Sequence, residues 1–251
     1  MKILVTFAVD WEFKPWLRQR AFQSDRRNAG TFSAQIEGID VRVLLTGIGT
    51  GNALRSISAT VDEIPDLCIT SGLAGGLKPQ HRSGEVLVAR AVYDSTGETF
   101  VYSDERLFSS AVDCGAKPAS RFISVSQIVR TVQEKTRLSA SADAVDMESF
   151  AVMKELSRLG VPCAAIRSVS DPLEMRVPYD LDRALDSAGR IRMRQVLGQV
   201  VCNPRQLLPL ARLAIRSSRA TASLARFLDN YVLSLAGFKE KLDLNVQHIS
   251  Q

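Results

Sequence analysis

Ala144-Val145-Asp146-Met147-Glu148-Ser149-Phe150-Ala151-Val152 runs from a short apolar stretch into the start of a helix, with Glu148 at the junction. Val152, Leu156 and Leu159 continue it at i, i+4, i+7 spacing, and Gly160 is a helix stop. Pro162 to Val169 then forms an apolar strand that ends at Ser170-Asp171-Pro172. Working outward, the same alternation recurs. Residues 2–9 suit a central strand, with Glu12 just beyond its carboxyl end, and Lys14 to Arg20 suit a short helix. Val41 to Leu45 is a strand, and a helix from Ala53 to about Glu63 follows. Strands are also predicted at Leu67 to Thr70, Glu85 to Ala89 and Phe122 to Val125, with a short helix near Glu105 to Val112. The class is therefore α/β with a largely parallel or mixed central sheet.

At 251 residues and 45% hydrophobic composition, the chain can bury a substantial core. No Pro/Gly/Ser-rich linker, low-complexity run or obvious repeat divides it. The formal charge of +5 is spread among acids, and no nucleic-acid motif accompanies it, so nucleic acid is not an expected partner. Cys68, Cys114, Cys163 and Cys202 form no C-x-x-C pair and read as reduced thiols. With only His81 and His248, no metal site is expected. The apolar N-terminus looks like a signal peptide at first sight. Asp10 and Glu12 follow it at once, which favours a buried strand and a cytoplasmic location.

Two glycine clusters follow strands. Thr46-Gly47-Ile48-Gly49-Thr50-Gly51 brings its third glycine one residue early for a dinucleotide fingerprint, and the next strand ends in Thr70-Ser71 instead of an acid. A nicotinamide enzyme is disfavoured. A backbone cradle for phosphate, water or a sugar hydroxyl, built from Thr46, Gly47 and Gly49, competes with a plain tight turn. In the second cluster, Ser71-Gly72-Leu73-Ala74-Gly75-Gly76-Leu77, Ser71 and Gly72 let a ligand approach backbone and a hydroxyl. Glu148 is either a first-turn glutamate favouring the helix dipole or an acceptor for two vicinal ribose hydroxyls. Asp171 is either a turn or cap residue or a catalytic acid. Glu12, Glu148 and Asp171 gain weight because all three fall near strand ends, where open α/β sheets bind ligands.

Glu12, Thr46-Gly47-Ile48-Gly49, Gly72-Leu73-Ala74-Gly75-Gly76-Leu77, Val145-Asp146-Met147-Glu148 and Ser170-Asp171 together resemble the nucleoside phosphorylase and nucleosidase superfamily, in its order and at about its spacing. The resemblance implies a three-layer α/β/α sandwich around a mixed sheet. Residues 1–200 would be the catalytic domain, and 201–251 a C-terminal amphipathic helical extension packed on or beside it. Glu12 would activate water, and Met147 and Glu148 would hold the ribose. Asp171, after Ser170, would protonate purine N7. Ser126-Gln127-Ile128-Val129 stands where the base is usually held, so main-chain groups of Ile128 and Val129 are the expected base contacts. Leu73 replaces a serine near the attacking water, and Ile69-Thr70-Ser71 lacks the arginine that binds phosphate in purine nucleoside phosphorylases.

The hopanoid-associated branch is more similar still, through the glycine loop, Lys135-Thr136-Arg137-Leu138 and the tail Asn203-Pro204-Arg205-Gln206-Leu207-Leu208-Pro209-Leu210. The implied activity is release of adenine from adenosylhopane. The alternatives are a methylthioadenosine/adenosylhomocysteine nucleosidase, a purine nucleoside phosphorylase and a catalytically silent nucleoside-binding protein. No cofactor is expected, with phosphate a candidate co-substrate, and a homodimer or higher homo-oligomer is expected. On a helical wheel Arg212, Arg216, Arg219 and Arg226 face away from Leu210, Leu213, Leu224, Leu228 and Leu235. Such a helix packs on its own domain or a partner, or lies on the inner face of the membrane.

Overall fold

The computed structural model describes residues 1–25, 28–60, 64–177 and 207–249. The first half comprises β1 (Lys2–Phe7), α1 (Asp10–Gln19), β2 (Gln23–Ser24), β3 (Thr31–Ile36), β4 (Ile39–Leu45), α2 (Thr50–Thr60) and β5 (Leu67–Gly76). Then come β6 (Val86–Asp94), β7 (Phe100–Tyr102), α3 (Glu105–Asp113), β8 (Lys117–Ser124) and α4 (Val132–Ser139). Next are β9 (Ala144–Asp146), α5 (Ser149–Arg158) and β10 (Cys163–Asp171), and the long helix Leu207–Ile249 is α6 here.

All of β1 beyond Lys2 is buried, because an Ile-Leu-Val-Thr-Phe run must be covered on both faces. It lies between β4 and β5, parallel to both. One core cluster packs Phe13 and Trp16 of α1, Leu107 and Phe108 of α3 and Leu224, Leu228 and Tyr231 of α6 with one set of strand side chains. A second cluster packs Ala53 and Ile57 of α2 and Phe150, Val152 and Leu156 of α5 with the other set. Helices therefore cover a mixed sheet in an α/β sandwich, as the sequence implied.

Periodicity could not show how the sheet closes. β5 pairs with β10, β10 with β6, β6 with β8, β8 with β9, and β9 again with β5. These five strands make a ring, and β1, β4, β3 and β2 extend from it as an open wing. β5 is the shared strand. One of its edges carries β1 as far as Thr70 and β9 from Gly75, so it is bare of strand partners between.

Several expected boundaries move. The helix expected from Lys14 begins at Asp10, so Glu12 lies in the first turn of α1. The second glycine cluster is part of strand β5 and not a loop after it. β3 was not anticipated. It forms a hairpin with β4 across Glu37 and Gly38, both at positive φ, the geometry a two-residue turn requires. The expected 200/201 boundary lies outside the described residues. α6 contributes to the main core, with Leu224, Leu228 and Leu235 buried. Among the described residues no helix is long and apolar enough to cross a membrane. Cys68, Cys114 and Cys163 are free thiols, and Cys202 lies outside the described residues.

Candidate active site

The bare stretch of β5 is filled by a side chain. Glu12 Oε1 accepts from Leu73 N at 2.9 Å and Oε2 from Ala8 N at 3.1 Å. One carboxylate thus bridges the end of β1 and the middle of β5. Beside it lies a residue the sequence reading gave no role, Arg167, 1% exposed in the middle of β10. Its Nε donates to Asp146 Oδ2 at 2.8 Å and Nη2 to Ser149 Oγ at 2.8 Å. Nη1 donates to the Ser71 carbonyl, and Nη2 reaches Thr70 Oγ1 at 3.4 Å. Glu148 Oε2 stands 3.8 Å from Nη2. A lone arginine in the apolar run Cys163 to Val169 was the available signal, since a buried charge must be paired.

Glu148 is the residue before α5, and its carboxylate caps nothing in that helix. Its Oε1 instead accepts from Gly49 N at 2.8 Å, joining the first glycine cluster to the arginine centre. Thr50 Oγ1 donates to the Met147 carbonyl at 3.3 Å, which brings Met147 to the same loop. Thr46 and Gly47 bond inward: Thr46 Oγ1 donates to Phe7 O at 3.2 Å and Gly47 N to Ala8 O at 2.9 Å. They hold the loop to the end of β1. Asp146 accepts from Ser124 Oγ at 2.5 Å and from Ser149 N at 3.3 Å, so it anchors both Arg167 and the start of α5.

Gly72 is required here. At φ +141° its added Cβ would meet the Arg167 Nη1 and lie 3.1 Å from both oxygens of Glu12. Ser71 is buried, and its Oγ has no partner.

Asp171 occupies the end of β10 beyond a register shift after Val169, an irregularity that re-aims the side chains following it. Its Oδ1 accepts from Ser170 Oγ at 2.5 Å and its Oδ2 from the ammonium of Lys135 at 2.5 Å. A Cβ on Gly75 would lie 3.2 Å from Oδ2 and 3.1 Å from Val145, so this glycine makes room for the acid. Val129 packs against the small cluster that contains Val145. Ile128 and Val129 are half-buried between β8 and α4. A surface cavity lined by Lys2, Gln23, Ser33, Asp40 and Arg42 includes none of these site residues.

Three carboxylates, Glu12, Asp146 and Glu148, thus share one guanidinium. Burial pushes Glu148 up to about 8, with Asp146 and Glu12 adding to the rise and Arg167 and the Gly49 N–H opposing it. Burial also raises Glu12, against the pull of Arg167 and of the Leu73, Val9 and Ala8 amides. Burial works against the charge of Arg167, but Asp146, Glu148 and Glu12 outweigh it and leave its pKa above the ordinary arginine value. No group of His, Cys, Asp and Glu suited to a metal ion occurs among the described residues.

Residues 118–202 match the family model of the phosphorylase superfamily. The superfamily to which the sequence motifs pointed is therefore the one matched. The 5′-methylthioadenosine/S-adenosylhomocysteine nucleosidase of Anoxybacillus flavithermus is 28% identical over 57% of this chain and 73% of its own length. That of Desulfotalea psychrophila is 24% identical over 56% and 70%. A futalosine hydrolase mutant of Helicobacter pylori superposes with a TM-score of 0.71 at 18% identity, over 92% of this chain and 98% of that one. A mutant 5′-methylthioadenosine/S-adenosylhomocysteine nucleosidase of the same organism, with 5′-methylthioadenosine in its active site, gives 0.71 at 18% over 92% and 97%. The fold is shared with these enzymes.

Proposed function

We propose that the protein cleaves the N-glycosidic bond of a purine nucleoside. The observation that carries this reading is the buried centre in which Glu12, Arg167 and Glu148 meet at the bare edge of β5, with Asp171 held at the end of β10. Cleavage of C1′–N9 generates positive charge on the ribose and negative charge on the base. Glu12, seated between Ala8 and Leu73, is the acid that activates the nucleophile. Met147 packs on the sugar, and Glu148 accepts its 2′ and 3′ hydroxyls. Asp171 protonates purine N7, oriented by Ser170, and main chain at Ile128 and Val129 meets the base.

Water is the favoured nucleophile. Arg167 already donates to Asp146, Ser149, Thr70 and Ser71, so its guanidinium is committed to the protein, and a phosphate dianion would be surrounded by the acidic side chains Glu12, Asp146 and Glu148. The curated relatives named as nucleosidases support the same choice. The 5′ substituent is, in the finer reading, the hopane of adenosylhopane, supported by the resemblance of the glycine loop and tail to the hopanoid-associated branch. A peripheral contact of Arg212, Arg216, Arg219 and Arg226 with anionic lipid suits such a substrate. These arginines are exposed, whereas Leu224 and Leu228 on the opposite face are already buried in the protein's own core. A homo-oligomer remains part of the proposal.

Incubation with adenosine, 5′-methylthioadenosine and a 5′-alkyl adenosine, with and without phosphate, tests the reading. Adenine release that does not require phosphate is the expected result, and absence of release from every substrate overturns it. Asp171→Asn should lower turnover by about 10²–10⁴-fold. Glu148→Gln should reduce the preference for ribo- over 2′-deoxynucleosides, measured as a ratio of kcat/KM.

A further inference from the structure

α4 buries a single described side chain, and that side chain is a lysine: Lys135, 0% exposed. Leu138 of the same helix packs half-buried on a small apolar cluster, but the side chain that is fully buried is an ammonium, which is buried only when paired. The Nζ lies 2.5 Å from Asp171 Oδ2 and 3.0 Å from the Asp171 carbonyl. It is also 2.9 Å from the Pro172 carbonyl and 3.2 Å from the Met175 carbonyl. Three N–H donors therefore face four acceptors, which leaves none for a substrate or water.

We infer that Lys135 is the positioning residue of Asp171, fixing the orientation of the acid and facing the negative charge that the acid acquires when it gives up its proton. The inference rests on the proposed role of Asp171 as proton donor to the purine. The irregularity after Val169 takes the Asp171 carbonyl out of regular strand register, and Lys135 binds that carbonyl and the carboxyl together. With Ser170 Oγ on Oδ1, both carboxyl oxygens are held and the side chain cannot turn away. In the reaction a proton carried by Asp171 passes to N7 and the C1′–N9 electron pair passes to the base, while water adds its oxygen to C1′ and gives its proton to Glu12. The resulting Asp171 carboxylate already has a cation against it.

The test separates this role from that of a plain staple for residues 172–175. Lys135→Met and Lys135→Arg in the full chain are assayed on 5′-methylthioadenosine and on 4-nitrophenyl β-D-ribofuranoside, whose phenolate departs without protonation. Lys135→Met should lower kcat on the purine nucleoside about 10²–10³-fold, with KM changed only a few-fold, yet cost the phenyl riboside about threefold or less. Lys135→Arg should regain about tenfold. On the purine substrate alone, adding Lys135→Met to Asp171→Asn should cause little further loss, which reads the same coupling without the phenyl riboside. Equal losses on both leaving groups, or a double variant whose losses multiply, overturn the inference. Both readouts are ratios, so they survive a partly unfolded variant. Wild-type protein that releases no purine from any nucleoside would instead overturn the proposed function.

Discussion

At the scale of single residues, the site is a problem of charge in a dry place. Glu148 ionises near pH 8 in the folded protein, against an ordinary value of 4.5, and Glu12 is raised in the same direction. Between those two pH values the folded chain holds protons that the unfolded chain has lost, so stability falls as pH rises through this window. Thermal melts should show a lower Tm at pH 8 than at pH 5.5. Glu148→Gln should flatten that slope, and an equally steep slope in the variant would contradict the assignment. Gly72→Ala should destabilise by about 1–3 kcal/mol from its φ alone, read by urea denaturation, because Arg167 and Glu12 fill the space a Cβ needs. Glu12, Glu148 and Asp171 could be singled out in sequence because each falls near a strand end, whereas Asp146, which holds Arg167, was given no role. Arg167 and Lys135 were not, because a charge inside an apolar pattern carries no periodicity and its partners are distant in the chain.

At the scale of elements, α6 is tied to the body by a specific latch as well as by apolar packing. Asp229 takes two bonds from Arg20, at 2.6 and 2.9 Å, and one from Trp16 Nε1 at 3.2 Å. The pair is partly exposed, so solvent screening limits its worth. Asp229→Ala should cost about 1–2 kcal/mol, measured by equilibrium unfolding, and most of that loss should disappear in an Arg20→Ala background. The long strands and α5 could be read from pattern because each buries a continuous apolar face. β9 could not, since three residues are too few to show alternation. α4 was equally hidden, because its single buried side chain is a lysine.

At the scale of the whole molecule, the decisive feature is the strand shared between the ring and the wing. Local pattern contains no information about which strands pair across the chain, so the ring of β5, β10, β6, β8 and β9 could not be read from sequence. The α/β class could. Strand sharing brings Glu12, which follows β1, against Gly72 of β5, and Asp171, at the end of β10, against Gly75 of the same strand, since β1, β5 and β10 run parallel. It also leaves one amide in an unusual position. The Leu73 N–H donates to the Glu12 carboxylate and not to a strand. Its proton resonance is thus a built-in label for events at the nucleophile side of the site. It should titrate with Glu12 and move when a ribose-like ligand enters, while β5 amides bonded to β1 stay still.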